Sequence, residues 1–246
     1  MTRLLNPGGS RHIDGSLATF SRVSIAFFDF DRTLISVNSG VLWLRNEIRQ
    51  GNISLLKALA ATLWVARYHL GFARKGKGLE RAIASLEGSA EAELRQRTAA
   101  FYEANVRALY RPGARRAVEE HRAGGDELVL LTSSPAYLAE LVARDLQLDA
   151  VLCNRFEVDS EGLYTGRPMG DLCYGIGKLR HAQRHARERG VDLEDCAFYT
   201  DSFSDLAVME AVGRPVAVNP DQRLRRVATA RGWEIVDWGL PEPAVA

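Results

Sequence analysis

Residues 23–28, VSIAFF, lead directly into residues 29–34, DFDRTL. The first part is a short run of mostly apolar, β-branched and aromatic residues, which is typical of a strand buried on both faces. Asp29 and Asp31 follow the strand two positions apart, so both can face one site while Phe30 points into the core. The sequence therefore predicts a buried strand that ends in a pair of carboxylates.

Further along the chain, short apolar runs alternate with helical patterns. Strands are predicted over residues 127–131, 150–153, 197–200, 216–218 and 234–236, and residues 155–158 with 163–165 look like a hairpin. Helices are predicted over residues 114–123, 137–146, 177–190, 204–212 and 223–230. Strands that alternate with helices form a parallel sheet with helices on both faces. The predicted fold class is therefore α/β, with a Rossmann-like parallel sheet.

The segment between the first two strands is helical throughout and too long for an ordinary crossover. Its candidate helices cover residues 41–50, 54–71, 79–86 and 91–110. We therefore predict three parts of the chain: a flexible, dispensable tail at 1–20, a core domain at 21–35 and 111–246, and a helical cap at 36–110 inserted into that core.

The most apolar stretch of the chain is residues 53–72, which still contain Lys57, Arg67 and His69. Its leucines fall within one arc of a helix and most polar residues fall outside it, which predicts an amphipathic helix rather than a membrane span. Such a helix can face a protein core, the interpretation we favour, or lie on a membrane surface.

Composition excludes several classes of protein. The chain has 246 residues, with 32 Lys and Arg against 31 Asp and Glu, so a dedicated nucleic-acid binder is not expected. Its three cysteines form no CxxC pair and no even framework, which argues against a disulfide scaffold or a structural zinc site. The opening residues lack the apolar core of a secretory signal. A reducing compartment, the cytoplasm, is expected.

Hydroxyls and carboxylates follow three predicted strands at the point where each strand ends. Because the carboxyl ends of parallel strands meet at one edge of the sheet, we expect these side chains to converge. They are Asp29, Asp31, Thr132, Ser133, Asp201 and Asp205, joined by Lys178 from the start of a helix. Four carboxylates would repel each other unless a cation neutralised them, and Mg²⁺ suits hard oxygen ligands of this kind.

These residue types can transfer a phosphoryl group. One carboxylate can attack phosphorus and form an aspartyl-phosphate, while the other protonates the leaving oxygen and later activates water. Thr132 and nearby backbone N–H groups could hold phosphoryl oxygens. Lys178 would supply positive charge where negative charge accumulates in the transition state.

Two other features favour structural roles. His181 and His185 are one helical turn apart and could share a metal, but four arginines surround them, which indicates a solvated basic face. Cys196 begins a predicted strand and is expected to be a small core residue.

The four motifs together resemble the signatures of the haloacid dehalogenase (HAD) superfamily. The stretch DFDRT at 29–33 resembles the first signature, DxDxT. Leu131-Thr132 resembles the second signature, a hydrophobic strand that ends in Ser or Thr. Lys178 resembles the third signature and DSFSD at 201–205 the fourth, and the resemblance covers about residues 22 to 238. The helical insertion resembles the C1 cap of subfamily IB, the phosphoserine phosphatase-like group.

The resemblance implies a role for each matching residue. Asp29 would be the nucleophile and Asp31 the general acid/base. Thr132 with the Ser133 backbone would bind phosphate, and Lys178 would stabilise phosphate and order Asp29. Mg²⁺ would be held by Asp29, the Asp31 backbone carbonyl and Asp201, with Asp205 in support.

The chain departs from the phosphoserine phosphatase pattern at three places. Asn38 replaces a glutamate that handles the substrate, Ser133-Ser134 replaces a Gly-Gly pair, and Ser204 replaces an asparagine. The cap arginine that would grip a substrate carboxylate could be Arg45, Arg67 or Arg81. These departures leave the substrate open.

Three hypotheses follow. The first is a phosphomonoesterase acting on a small phosphorylated metabolite. The second is a phospholipid head-group phosphatase, such as a phosphatidylglycerophosphatase, with the helix at 54–71 making peripheral membrane contact. The third is a non-catalytic phosphate-sensing module. The sequence carries no signal for an oligomeric state.

Overall fold

The computed structural model describes residues 25–52 and 75–241, and a six-stranded sheet lies at its centre. Every pair of neighbouring strands in this sheet is parallel, as predicted. The strands are β1 (Ile25–Phe28), β2 (Glu127–Pro135), β3 (Ala150–Asn154), β6 (Cys196–Thr200), β7 (Arg214–Val218) and β8 (Glu234–Val236), in the spatial order β3-β2-β1-β6-β7-β8. The predicted hairpin is present as β4 (Phe156–Val158) paired with β5 (Tyr164–Pro168).

Helices cover both faces of the sheet, which confirms the α/β class. They are α1 (Ser39–Arg49), α2 (Lys75–Ala84), α3 (Glu91–Phe101), α4 (Pro112–Gly124), α5 (Ala136–Leu146), α6 (Ile176–Glu188), α7 (Leu206–Met209) and α8 (Gln222–Arg231). Local chemistry sets several of their ends. Pro112 occupies the first turn of α4, and Gly125 ends that helix in the left-handed conformation that glycine adopts without cost. Asp221 caps α8 by accepting hydrogen bonds from the backbone N–H groups of Arg223 and Leu224.

Alternate residues of each strand build two separate hydrophobic layers. Ala26 and Phe28 of β1 join the layer that packs against α4 and α5, whereas Ile25 and Phe27 join the layer that packs against α6 and α8. Phe28 also stacks on the ring of Tyr199 from β6, with centroids 4.9 Å apart. Burial of β1 on both faces follows from its uninterrupted apolar run.

The strand order changes direction at β1, and this change locates the site. Chain order runs from β1 to β2 and β3 on one side, and from β6 to β8 on the other, so β1 lies between β2 and β6. Phe28 is in register with Leu130 on β2 and with Tyr199 on β6. The residues that follow these three positions therefore emerge together, at the topological switch point where α/β sheets bind ligands.

Part of the predicted insertion lies outside the described residues. The amphipathic helix predicted at 54–71 lies there. The predicted tail at 1–20 also lies outside the described residues, so both stay predictions. The division of the chain into tail, core and cap also stays a prediction. In the described part of the insertion, α3 joins core helix α5 through an ion pair between Arg95 and Glu140 at 2.9 Å.

The prediction of one helix over residues 91–110 is wrong in its second half. α3 ends at Phe101, and a wider turn over Tyr102–Val106 and a 3₁₀ turn over Arg107–Leu109 follow it. The hydroxyl of Tyr102 donates to Asp145 at 2.8 Å and lies 2.8 Å from the hydroxyl of Tyr110. We attribute the change of helical geometry to these long-range contacts, which periodicity along the chain does not reveal.

The helix predicted over residues 204–212 is also shorter than expected. A 3₁₀ turn covers Phe203–Asp205, and α7 ends at Met209. The chain must then turn into β7 through Gly213, where a β-carbon would lie 1.8 Å from the carbonyl oxygen of Glu194. This close backbone approach leaves no room for a side chain at Gly213.

His185 does not belong to a solvated basic face, contrary to the prediction. Its side chain is buried, lies edge-on to Phe27 and has Nε2 3.1 Å from Oε1 of Glu127. His181 remains on the outer part of α6, with its Nε2 2.8 Å from the carbonyl oxygen of Asp171. Cys196 is buried at the start of β6, as predicted.

Candidate active site

Asp29 and Lys178 meet at the carboxyl end of β1. The backbone N–H of Asp29 donates to the carbonyl oxygen of Tyr199 at 2.9 Å, so β1 and β6 fix its position. Its Oδ1 lies 2.8 Å from Nζ of Lys178, whose side chain is only 2% exposed. α6 brings Lys178 this close because Gly177 packs against the carbonyl oxygen of Leu172, where a β-carbon would lie 1.9 Å away.

Lys178 also binds Asp205, so it bridges two carboxylates. Its Nζ lies 2.8 Å from Oδ2 of Asp205, and the same oxygen accepts a hydrogen bond from the hydroxyl of Thr200 at 2.8 Å. The hydroxyl of Ser204 donates to the other oxygen of Asp205 at 3.5 Å. Burial alone lowers the pKa of Lys178, but Asp205 and Asp29 outweigh it, so the pKa is raised and the ammonium stays charged.

Thr33 holds Asp201 beside this bridge. The backbone N–H of Asp201 donates to the hydroxyl of Thr33 at 3.0 Å, and that hydroxyl donates to Oδ1 of Asp201 at 3.4 Å. The backbone N–H of Asp221 donates to the carbonyl oxygen of Asp201 at 2.8 Å. Asp201 is thus positioned from the β1 loop and from the start of α8.

Asp31 is held at the beginning of α1. Its Oδ1 accepts a hydrogen bond from the backbone N–H of Ser39 at 2.7 Å. Burial raises the pKa of Asp31, and the hydrogen bonds from Ser39 act in the opposite direction. Asn38, the position where the phosphoserine phosphatase pattern has a glutamate, caps α1 by accepting from the backbone N–H of Val41 at 2.9 Å.

Thr132 and Ser133 lie where the pairing of β2 becomes irregular. The predicted strand ends at Leu131, whereas β2 continues to Pro135. The register of its pairing with β3 shifts between Leu131 and Pro135. The backbone N–H of Ser134 donates to the hydroxyl of Thr132 at 3.1 Å. The Ser133 hydroxyl donates to the carbonyl oxygen of Cys173 at 2.9 Å.

Asn154 helps to hold the candidate site together, and the sequence did not predict this role. Its side-chain amide donates to the carbonyl oxygen of Ser133 at 2.6 Å and accepts from the backbone N–H of Cys173 at 2.8 Å. It therefore ties the end of β2 to the segment that leads into α6. Asn154 lies at the end of β3, the strand next to the one that carries Thr132. That position was the sequence signal by which it could have been found.

The site carries more negative charge than its lysine neutralises. Burial raises the pKa of Asp29 to about 7, against the opposing effect of Lys178. Burial, together with repulsion from Asp29 and Asp205, raises the pKa of Asp201 to about 8. Two carboxyl groups with raised pKa values at the end of neighbouring strands indicate a functional site.

This donor set fits a magnesium ion. Within the described ranges, Asp, Glu, His and Cys side chains nowhere gather in threes close enough to hold a metal. Mg²⁺ uses only one or two carboxylates and takes water and other oxygens for the rest of its shell. Burial, with a smaller contribution from neighbouring carboxylates, raises the pKa values of Asp29 and Asp201, and a cation beside them would favour their ionised forms.

Comparison with known proteins identifies the family. The family model for haloacid dehalogenase-like hydrolases matches residues 26–210, a range that contains all seven candidate site residues. The chain belongs to this family. The fold and the order of the motifs agree with the resemblance noted in the sequence.

Individual relatives of this haloacid dehalogenase-like hydrolase include phosphatases. The phosphoserine phosphatase SerB1 of Mycobacterium tuberculosis is 32% identical over 223 residues, which are 89% of this chain and 72% of that protein. The histidinol-phosphatase of Neisseria meningitidis serogroup C is 28% identical over 219 residues, 87% and 99% of the two chains. A solved structure of a protein of unknown function from Bordetella pertussis Tohama I superposes with a TM-score of 0.81 at 28% identity, covering 88% and 99%.

The chain is therefore a hydrolase of the phosphomonoester class, with a phosphoserine phosphatase-like sequence. This finding disfavours the hypothesis of a non-catalytic sensing module. The membrane hypothesis depends on the helix at 54–71, which lies outside the described residues. Within the described stretches, none of the helices combines the length and the apolar character needed to cross a bilayer.

Proposed function

We propose that the protein is a Mg²⁺-dependent phosphatase that works through an aspartyl-phosphate on Asp29. The observation that carries this proposal is the bridge of Lys178 between Asp29 and Asp205, at 2.8 Å to each, at the switch point of the sheet. A buried ammonium bound to a carboxylate favours the ionised form of that carboxylate, and a nucleophile must be ionised.

In the first step, an oxygen of Asp29 attacks the phosphorus of the substrate. The new bond joins that oxygen to phosphorus, and the bond between phosphorus and the ester oxygen breaks. In this step Asp31 acts as the general acid and gives its proton to the departing ester oxygen, a role that is favoured because burial raises its pKa. The products are an aspartyl-phosphate and a free alcohol.

In the second step, water attacks the aspartyl-phosphate. The carboxylate of Asp31 takes a proton from the water, whose oxygen forms the new bond to phosphorus. The bond between Asp29 and phosphorus breaks, which restores the Asp29 carboxylate and releases inorganic phosphate. The hydrogen bond from Ser39 fixes the Asp31 side chain for both proton transfers.

The remaining candidate site residues would bind the phosphoryl oxygens and the metal ion. Thr132, the Ser133 backbone and Lys178 would hold the oxygens of the phosphoryl group. Mg²⁺ would be held by Asp29, the backbone carbonyl of Asp31 and Asp201, where it would neutralise charge on the phosphate. Asp205 would support the metal site indirectly, because its carboxylate binds Lys178 and Thr200.

A small phosphorylated metabolite is the proposed substrate class, acted on in the cytoplasm. Two relatives named for phosphoserine and histidinol phosphate support a small polar substrate. Asn38 caps α1 instead of offering a carboxylate, which favours a substrate other than phosphoserine. Three buried, unpaired cysteine thiols suit a reducing compartment.

Removal of the metal tests the cofactor. Phosphate release would be followed on a panel of monoesters containing phosphoserine, histidinol phosphate, sugar phosphates and phosphatidylglycerophosphate. We expect turnover to fall at least about a hundredfold after treatment with EDTA and to return with added Mg²⁺, because four carboxylates otherwise repel the phosphate. Undiminished turnover after complete removal of divalent metal would refute the proposed cofactor.

The same panel tests the substrate class. Preference for a soluble monoester supports the proposal. Preference for phosphatidylglycerophosphate would instead favour the lipid hypothesis, and binding of the intact chain to anionic vesicles at low salt would then be measured as its control.

A further inference from the structure

Arg32 adopts a backbone conformation that is unusual for a side chain of its size. Its φ is 60° and its ψ is −6°, in the left-handed region that costs an ordinary residue energy. The loop holds it there from both sides. Its N–H donates to the carbonyl oxygen of Val37 at 3.0 Å, and its carbonyl accepts from Nε of Arg111 at 3.2 Å.

Two other described residues besides glycine have a positive φ, and both have a local explanation. Gln147 ends helix α5, a position that commonly adopts this conformation. Asn219 is of a type that tolerates it, and its side chain bonds Asp237 at 2.6 Å. Arg32 caps no helix and lies between Asp31 and Thr33, whose side chains belong to the site. Strain retained next to catalytic groups points to a function.

The side chain of Arg32 is a cation on the loop that carries Asp31 and Thr33. It is exposed and makes no ion pair with the described residues, whereas Lys178 is buried against Asp29 and Asp205. Its charge also acts on its surroundings. Burial raises the pKa values of Asp31 and Asp201, and Arg32 opposes both shifts.

We propose that Arg32 binds an anionic group on the leaving-group part of the substrate, such as a carboxylate. The inference rests on the proposed function, in which Asp31 protonates the leaving oxygen. Arg32 directly follows Asp31 and its charge acts on the Asp31 carboxyl, so we place it on the leaving-group side, while Lys178 and Thr132 hold the transferred phosphate. Without a cation there, the carboxylates of the site would repel an anionic leaving group.

A matched pair of ligands tests this proposal. Phosphoglycolate and ethyl phosphate differ in a carboxylate against a methyl group, and their Kd values would be measured by calorimetry with Mg²⁺ present. An Asp29→Asn background prevents turnover. We expect Arg32→Asn to raise the Kd of phosphoglycolate about fivefold and to change the Kd of ethyl phosphate by less than about twofold. An exposed charge pair contributes about that much to binding.

Three controls separate the charge from the fold. Arg32→Lys keeps the charge and should keep most of the preference. Asn tolerates the left-handed conformation, so Arg32→Asn should not lower Tm. Gln147→Asn makes the same kind of change far from the site and should alter neither Kd.

Two results would overturn the proposal: equal changes in both Kd values, or no preference for phosphoglycolate in the protein that retains Arg32. Phosphate release is measured in the Asp29→Asn background before the Kd values, so hydrolysis of the ligands is recognised before either result is read. The proposed function has its own failure, which is turnover that survives Asp29→Asn. The two proposals are therefore tested separately.

Discussion

Replacing Lys178 by Met should lower kcat roughly a thousandfold and the free energy of unfolding by about 3–5 kcal/mol. Lys178 is fully buried and bridges Asp29 and Asp205 at 2.8 Å each. Its loss leaves two buried carboxylates without a counter-charge, and the phosphoryl group without its nearest cation. Steady-state kinetics and urea denaturation measure the two effects.

Two variants control this experiment. Arg180→Met removes an exposed charge from the same helix, 3.8 Å from Asp171, and should change stability by less than about 0.5 kcal/mol. The double variant Lys178→Met/Asp205→Asn removes one of the stranded carboxylates, so it should regain stability without regaining activity. Normal kcat in Lys178→Met would show that the bridge is not part of the catalytic site.

Replacing Asp29 by Asn should abolish turnover, with a loss of at least about ten-thousandfold in kcat. The amide occupies the same space but cannot attack phosphorus. The fold should survive, with the free energy of unfolding changed by about 1 kcal/mol or less, because Lys178 keeps Asp205 as its partner. Phosphate release and thermal unfolding are measured on the same preparation.

Asp149→Asn is the matched control for this substitution. Asp149 accepts a hydrogen bond from the backbone N–H of Leu128 at 2.8 Å, near the amino end of β2 and away from the site. Its activity should equal that of the unmodified protein. Substantial turnover by Asp29→Asn would rule out the aspartyl-phosphate.

Much of the site could be predicted because the sheet brings strand ends together. Asp29, Thr132 and Asp201 each follow a short apolar run, and parallel strands deliver such positions to one edge. The same rule does not fix side-chain contacts. That Lys178 bridges Asp29 and Asp205 depends on the close packing of Gly177 against Leu172, which links residues distant from β1 in the chain.

What the sequence did not predict depends on long-range packing. The burial of His185 follows from its contacts with Phe27 and Glu127, which belong to two other strands. The conformation of Arg32 follows from hydrogen bonds to Val37 and from Arg111. Helical periodicity and local propensity carry no information about such partners.

Trapping the covalent intermediate tests directly whether the reaction passes through an aspartyl-phosphate on Asp29. The protein would be mixed with a monoester whose phosphoryl group carries radioactive phosphorus. The reaction would be quenched with acid in the pre-steady state and the protein digested. We expect the label on the peptide that carries Asp29, released by hydroxylamine as an acyl phosphate is, and absent from Asp29→Asn. Label on another residue, or a pre-steady-state turnover that leaves no covalent label, would contradict the account.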